Sequence, residues 1–207
     1  EGMNISYEDD PTCLPSNIDL VIYTPAIPKD NKILQEVINR GLRLEKRAIA
    51  LSEIIKDKKV VAISGTHGKT TTSGLLAHLL HNSKIGCSAF LGGIANNYST
   101  NMLCNEKSEY VVVEADEYDR SFLQLRPYIA AITSISPDHL DIYQNRDNLE
   151  QAFTQFANQT NKNGRIFLKK EVSIETNTDI TTNTYSLTNI ESDYYAWNLR
   201  VSNGSYY

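Results

Sequence analysis

An apolar run, Val60-Val61-Ala62-Ile63, leads through Ser64 into Gly65-Thr66-His67-Gly68-Lys69-Thr70-Thr71-Thr72, and a helix-like segment, Ser73-Gly74-Leu75-Leu76-Ala77-His78-Leu79-Leu80, follows at once. A buried strand, a glycine turn and a helix in that order make a cradle for one anion. The turn's N–H groups and the positive end of the helix dipole converge on it. Lys69 adds a mobile positive charge, and the Thr70 hydroxyl is a ligand for Mg²⁺. The match to G-x-x-x-x-G-K-[ST] is incomplete, because Ile63 stands where the first glycine belongs. A tighter Gly-Thr-x-Gly-Lys-Thr form remains. The plain alternative is a glycine turn with a solvated lysine, but Gly-Lys-Thr falls at the strand-to-helix junction, where an anion site needs it.

The flanking pattern extends this into an α/β chain. An alternation at Met3, Ile5 and Tyr7 predicts a short strand, and the acidic, proline-bearing stretch from Glu8 to Asn17 reads as loop. A strand over Ile18–Tyr23, a helix capped by Asp30 or Asn31 and ended near Gly41, a strand at Leu42–Leu44 and a helix over Arg47–Ile55 follow. This is the rhythm of a parallel sheet, and half of a doubly wound unit. Lys56-Asp57-Lys58-Lys59 is a polar seam and a domain boundary. Beyond it, strands are predicted at Val60–Ser64, Cys87–Leu91, Tyr110–Glu114 and Ile129–Ser134, and helices at Thr70–Asn82 and Arg146–Asn158. After Gly164, short strands at Arg165–Lys169, Thr184–Leu187 and Tyr194–Val201, with a hairpin signal at Asn203-Gly204, predict a small antiparallel extension.

Composition excludes several classes. A net charge of −5 without a basic stripe argues against nucleic-acid binding. No apolar run approaches the roughly 20 residues that cross a bilayer, so no membrane partner is expected. Cys13, Cys87 and Cys104 lack both metal spacing and an even count, which predicts reduced thiols in a cytoplasmic protein.

Two further segments carry candidate chemistry. Tyr110-Val111-Val112-Val113-Glu114-Ala115-Asp116-Glu117 is an apolar strand ending in carboxylates, and ligands of parallel sheets gather at the carboxyl ends of strands. A carboxylate there can face the phosphate loop and bind Mg²⁺, directly or through water. The same acids also suit a solvated loop. Ile129–Ser134 leads to Ser136-Pro137-Asp138-His139-Leu140-Asp141, which puts His139 past another strand end, although imidazole is an unusual Mg²⁺ ligand. Gly92-Gly93 stands at a further strand end, as a turn or as a close approach to a ligand.

Together, Gly65 to Thr72, Glu114-Ala115-Asp116-Glu117-Tyr118-Asp119 and Asp138-His139-Leu140-Asp141 resemble the Mur ligases, the ATP-dependent amide-forming enzymes of peptidoglycan precursor synthesis. Within that family, His67 and the Glu114–Glu117 run resemble the members that join L-alanine to UDP-N-acetylmuramate. The resemblance implies a Rossmann-like N-terminal unit, with residues 1–56 as the second half of a UDP-substrate-binding domain. It implies that residues 57–207 are most of a P-loop, parallel-sheet ATPase domain. It further implies that a muramyl carboxylate is activated as an acyl phosphate, then attacked by the amine. Lys69, Glu114 and His139 take the catalytic positions; Gly65, Thr66, His67, Gly68, Lys69, Thr70 and Thr71 hold ATP; Thr70, Glu114 and His139 bind Mg²⁺. Thr24, Ala26, His67 and Asp116 are placed near the muramyl substrate, and Asp138 and Asp141 are candidates to orient His139. The family's Gly-rich first turn, its adenine-contacting His-Asn-x-x-Asn segment and its amino-acid-binding domain lie outside these 207 residues, so the chain alone is expected to be inactive. A murein tripeptide ligase, a folylpolyglutamate synthetase-like ligase, a nucleotide switch or kinase, and a non-catalytic nucleotide-binding fragment are the competing readings. A switch would carry a base-specificity motif such as Asn-Lys-x-Asp, which is absent.

Overall fold

The structure, a computed structural model, describes residues 3–136, 140–202 and 205–206. It divides into two compact units, Glu1–Ile54 and Ile55–Tyr207.

In the first unit, β1 (Val21–Tyr23) pairs in parallel with β2 (Leu44–Lys46), Val21 opposite Leu44, and α1 (Lys32–Asn39) makes the crossover. Asn31 caps α1 by accepting from the Leu34 N–H at 2.9 Å. Asp9 adds a second cap from afar, accepting from the N–H groups of Lys32 and Ile33 at 3.0 Å each. α2 (Arg47–Ile54) completes the unit. The predicted strand at Met3–Tyr7 does not form. Its apolar side chains stand exposed, and among the described residues the unit's sheet holds only β1 and β2. Alternation without a partner strand buries nothing.

The second unit is built on one sheet. Its elements are β3 (Lys59–Ser64), α3 (Lys69–His81), β4 (Ser88–Ala95), β5 (Thr100–Leu103), β6 (Tyr110–Glu114), a 3-10 segment at Tyr118–Gln124, β7 (Ile129–Ile132), α4 (Leu140–Tyr143), α5 (Arg146–Asn158), β8 (Arg165–Lys169), β9 (Thr181–Ser186), β10 (Tyr194–Tyr195), β11 (Val201–Ser202) and β12 (Ser205–Tyr206). The main sheet runs β10-β9-β8-β7-β3-β6-β4-β5. β3 lies between β6 and β7 and is parallel to both, so all three carboxyl ends open on one rim. The continuous apolar runs of β3 and β6 are explained by burial on both faces; Val61, Ile63 and Val112 join Ala77, Cys87, Ala89, Leu91 and Leu103 in one core cluster.

α5 buries Leu149, Ala152, Phe153, Phe156 and Ala157, the stripe expected of an amphipathic helix. Phe122, from the segment after β6, stacks on Phe156 at 5.0 Å between ring centroids and meets Phe153 edge-on at 5.2 Å. This aromatic cluster anchors the chain just beyond the acidic end of β6.

Three expectations need correction. β5 forms a hairpin with β4 that the sequence pattern did not predict. Gly92 and Gly93 are not a turn. They lie inside β4, where its pairing with β5 shifts register between Phe90 and Ala95, a bulge that glycine permits. The antiparallel extension is confined to β11 and β12, because β8, β9 and β10 instead lengthen the main sheet in parallel. The Asn203-Gly204 hairpin signal falls outside the described residues.

Among the described residues, no helix is long and apolar enough to cross a membrane.

Candidate functional site

Register decides which side chains meet. Ile63 pairs with Glu114 across β3 and β6, Ser64 with Ile132 across β3 and β7, and Phe90 with Val113 across β4 and β6. The loop after β3 therefore stands between the ends of β6 and β7, with Gly92 close beside Glu114.

The loop is fastened to the segment after β7. Thr66 N–H donates to Ser134 O at 3.0 Å, His67 N–H donates to Ser134 Oγ at 2.9 Å, and Ser136 N–H donates to Thr66 Oγ1 at 2.7 Å. The Thr133 hydroxyl donates to Ser64 O at 3.1 Å and also reaches His67 O. Such closeness requires a glycine at 65. A Cβ there would fall 2.8 Å from Ser134 N and against Thr133 Oγ1. On the other side, the Ser64 hydroxyl donates to Ala115 O at 2.8 Å.

These bonds narrow the anion cradle. The amides of Thr66 and His67 are directed to Ser134, so the donors aimed outward belong to the first turn of α3. Gly68 is its N-cap, with φ +84° and no side-chain cap on the helix. A helix leaves its first N–H groups without intrahelical partners, and an anion satisfies them. His67 and Gly68 are exposed.

The charged groups sit directly over this turn. Lys69 Nζ donates to Gly65 O at 2.8 Å and to both carboxylate oxygens of Glu117, at 2.8 and 3.0 Å. Glu117 is fully buried, at 0% exposure. It is thus no member of a solvated acidic loop, and its partnership with Lys69 was not visible in the sequence pattern. The Tyr143 hydroxyl donates to Glu117 O at 2.6 Å. Burial, with the Glu117 charge next in size, pushes the Tyr143 phenol well above its ordinary pKa, so it stays a donor.

Thr70 Oγ1 donates to Glu114 Oε1 at 2.9 Å, and Gly92 N–H donates to Glu114 Oε2 at 2.9 Å. The pair of Thr70 and Glu114 oxygens suits a hard cation such as Mg²⁺. Among the described residues, no group of three or more His, Cys, Asp or Glu side chains is arranged to hold a metal ion. His139 and Asp138 lie outside the described residues, as does the side chain of Asp141.

Asp116 is exposed, and its Oδ1 accepts from the Tyr118 N–H at 3.3 Å. Thr71 is exposed on the first turn of α3. Thr24 and Ala26 are exposed in the first unit, joined by an Ala26 N–H to Thr24 Oγ1 bond of 3.4 Å. The structure thus brings Gly65, Thr66, His67, Gly68, Lys69, Thr70 and Glu114 together within the second unit. The residues to which the motif reading gave no site role are Glu117, Gly92, Ser134 and Tyr143. Glu117 carried a signal as a member of the carboxylate run after β6, and Gly92 as half of a glycine pair at a strand end.

Comparison with known proteins agrees with this geometry. Residues 63–206 match the Mur ligase middle domain. The chain is 42% identical over 211 residues to the UDP-N-acetylmuramate–L-alanine ligase of Porphyromonas gingivalis, an alignment covering 99% of this chain and 46% of that protein. It therefore spans about half the length of the curated relatives it matches. The solved UDP-N-acetylmuramate-alanine ligase of Thermotoga maritima superposes with a TM-score of 0.79 at 25% identity, covering 94% of this chain and 43% of that one. The UDP-N-acetylmuramate:L-alanyl-gamma-D-glutamyl-meso-diaminopimelate ligase of Neisseria meningitides shares the fold, with a TM-score of 0.70 at 21% identity over 81% of this chain and 58% of that one. The family match begins inside β3, takes in the loop, Lys69, Glu114 and Glu117, and spans well over half of the sequence: the chain belongs to the Mur ligase family.

Proposed function

We propose that this chain carries the nucleotide-binding centre of a cytoplasmic, ATP-dependent ligase that joins L-alanine to UDP-N-acetylmuramate in peptidoglycan precursor synthesis. The observation that carries the reading is the convergence of Lys69, Thr70 and Glu114 over an uncapped helix N-terminus at one sheet rim. The 42% identity to a ligase of that name supports the choice of substrates. Residues 1–56 serve as part of the UDP-substrate domain, with Thr24 and Ala26 near that ligand, and residues 57–207 serve as most of the ATPase domain.

ATP supplies the phosphoryl group: a muramyl carboxylate oxygen bonds to the γ-phosphorus as ADP leaves, the alanine nitrogen then bonds to the acyl carbon, and inorganic phosphate and a proton depart. This chain's residues bind and align the reactants. N–H groups at the start of α3 receive phosphate oxygens. Lys69 neutralises charge that grows on the transferring group. Thr70 and Glu114 hold Mg²⁺, with His139 as a ligand to a second ion, and Gly92 fixes the orientation of Glu114. His67 and Asp116 face the muramyl end.

The test is product formation by the whole protein carrying this sequence. With ATP, Mg²⁺, UDP-N-acetylmuramate and L-alanine, it should release ADP and phosphate and form UDP-N-acetylmuramoyl-alanine, detected by mass spectrometry. ADP release that depends on free muramyl peptide or a folate, and not on UDP-N-acetylmuramate, would overturn the assignment.

A further inference from the structure

Lys69 is the cation that the proposed function gives to phosphate, yet its ammonium is saturated by protein acceptors. An ammonium has three protons, and Gly65 O and the two Glu117 oxygens stand at 2.8, 2.8 and 3.0 Å. The Lys69 side chain is 14% exposed and that of Glu117 0%, so this is not a screened surface pair. A phosphate oxygen that accepts a hydrogen bond from Lys69 must replace one of these acceptors. The Gly65 carbonyl cannot yield easily, because the loop around it is clasped to Thr133, Ser134 and Ser136. The Glu117 carboxylate, on a side chain with rotatable bonds, can.

The chain around Glu117 is built for such a swing. Its carbonyl is pinned by the Tyr143 hydroxyl at 2.6 Å, which fixes the backbone from which the side chain would swing. Directly beyond, Asp119 and Arg120 both adopt left-handed backbone, with φ +52° and +56°. Two consecutive non-glycine residues in that region persist only where the surroundings enforce it, and such segments often have a second arrangement. The Arg120 N–H donates to the same Glu117 carbonyl at 3.0 Å, and its guanidinium lies 5.4 Å from the centroid of the Tyr143 ring, which makes it a neighbouring cation for a released carboxylate.

We infer that Glu117 is a positioning residue that holds Lys69 by its carboxylate, and that nucleotide binding exchanges this carboxylate for a phosphate oxygen. The inference rests on the nucleotide-site reading above. Glu117 thereby sets both the resting place of Lys69 and the strength of nucleotide binding.

The test uses the whole protein and the β,γ-imido analogue of ATP with Mg²⁺. In wild-type protein labelled with ¹⁵N-lysine and ¹³C-carboxyl glutamate, the Lys69 ammonium and Glu117 carboxyl resonances should shift together on saturation. Lys69→Arg and Glu117→Asp assign the two signals. By calorimetry, Glu117→Gln should bind the analogue about tenfold more tightly, the scale of one charge-assisted hydrogen bond. That gain should vanish when Lys69→Ala is present in both proteins. Normal wild-type binding with an unmoved Glu117 carboxyl signal overturns the exchange and leaves the nucleotide reading standing. Failure of wild type to bind the analogue overturns both. Equal or weaker binding by a folded Glu117→Gln variant also overturns the exchange. If that variant does not fold, the wild-type resonances decide the matter.

Discussion

The Gly92 N–H donates to Glu114 Oε2 at 2.9 Å, and the same carboxylate fills the space that a Cβ at position 92 would need, its atoms falling 2.5 Å from that point. One glycine therefore supplies both a bond and a space to the side chain proposed to carry Mg²⁺. Gly92→Ala should push the carboxylate off Thr70 and raise the Mg²⁺ concentration for half-maximal ADP release by about tenfold or more, the usual cost of losing a partner behind a metal ligand. Gly93→Ala is the control, since a Cβ there meets only the Thr70 methyl at an ordinary 3.6 Å. Equal Mg²⁺ titrations for the two variants would remove Gly92 from its role.

Lys69→Ala in the whole protein should lower kcat by at least about 100-fold, the scale of losing a main charge contact to the transition state. The same change leaves Glu117 buried without its ammonium, so a fall in stability of about 3–5 kcal/mol should accompany it. Urea unfolding and steady-state kinetics on one preparation separate the two effects. A rate loss below about tenfold would contradict the catalytic role.

Phe122 is buried between Phe153 and Phe156, and it anchors the segment that begins at Glu117. Phe122→Ala should destabilise the second unit by about 3–5 kcal/mol, through lost transfer energy and the cavity left behind. Phe122→Leu should cost less, because more of the volume is kept. A shift in the urea midpoint reports both, and an unchanged midpoint for Phe122→Ala would mean that the cluster does not hold this segment.

Asp9 accepts from the Lys32 and Ile33 N–H groups, and these bonds hold its carboxyl below the ordinary aspartate range. Its contribution to capping α1 is therefore fully present above the unfolded value of about 3.9, and is lost as pH falls through the lower folded value. Hydrogen exchange of the first α1 amides should accelerate in that acid window relative to amides of α3, corrected for intrinsic rates. A ¹³C carboxyl titration placing Asp9 at the ordinary value would refute the cap.

Much of the fold was legible in local pattern. β6 and α5 occur where the apolar runs and periodicity put them, and β3 and α3 lie within a residue of the prediction at each end. Asn31 caps α1 as expected. Such features are local: a strand buried on both faces must be continuously apolar, and a helix end needs a side-chain acceptor for its first N–H groups. The failures were local too. Met3, Ile5 and Tyr7 alternate as a strand would, but no neighbour in the described sheet pairs with them. β5, with polar and apolar residues mixed, exists because β4 offers an edge.

Local pattern was enough to show that a lysine and a threonine follow a strand and open a helix, and that Glu114 ends another strand, because side-chain chemistry and backbone periodicity involve only near neighbours. It took the folded sheet to bury Glu117 against Lys69, to set Gly92 against Glu114 and to clasp the loop with Ser134. Those contacts join positions 48, 22 and 67 residues apart. They follow from the order of strands in the sheet and from the register between them: Ile63 pairs with Glu114 and Phe90 with Val113, and a one-residue slip of β6 would turn Glu114 to the opposite face.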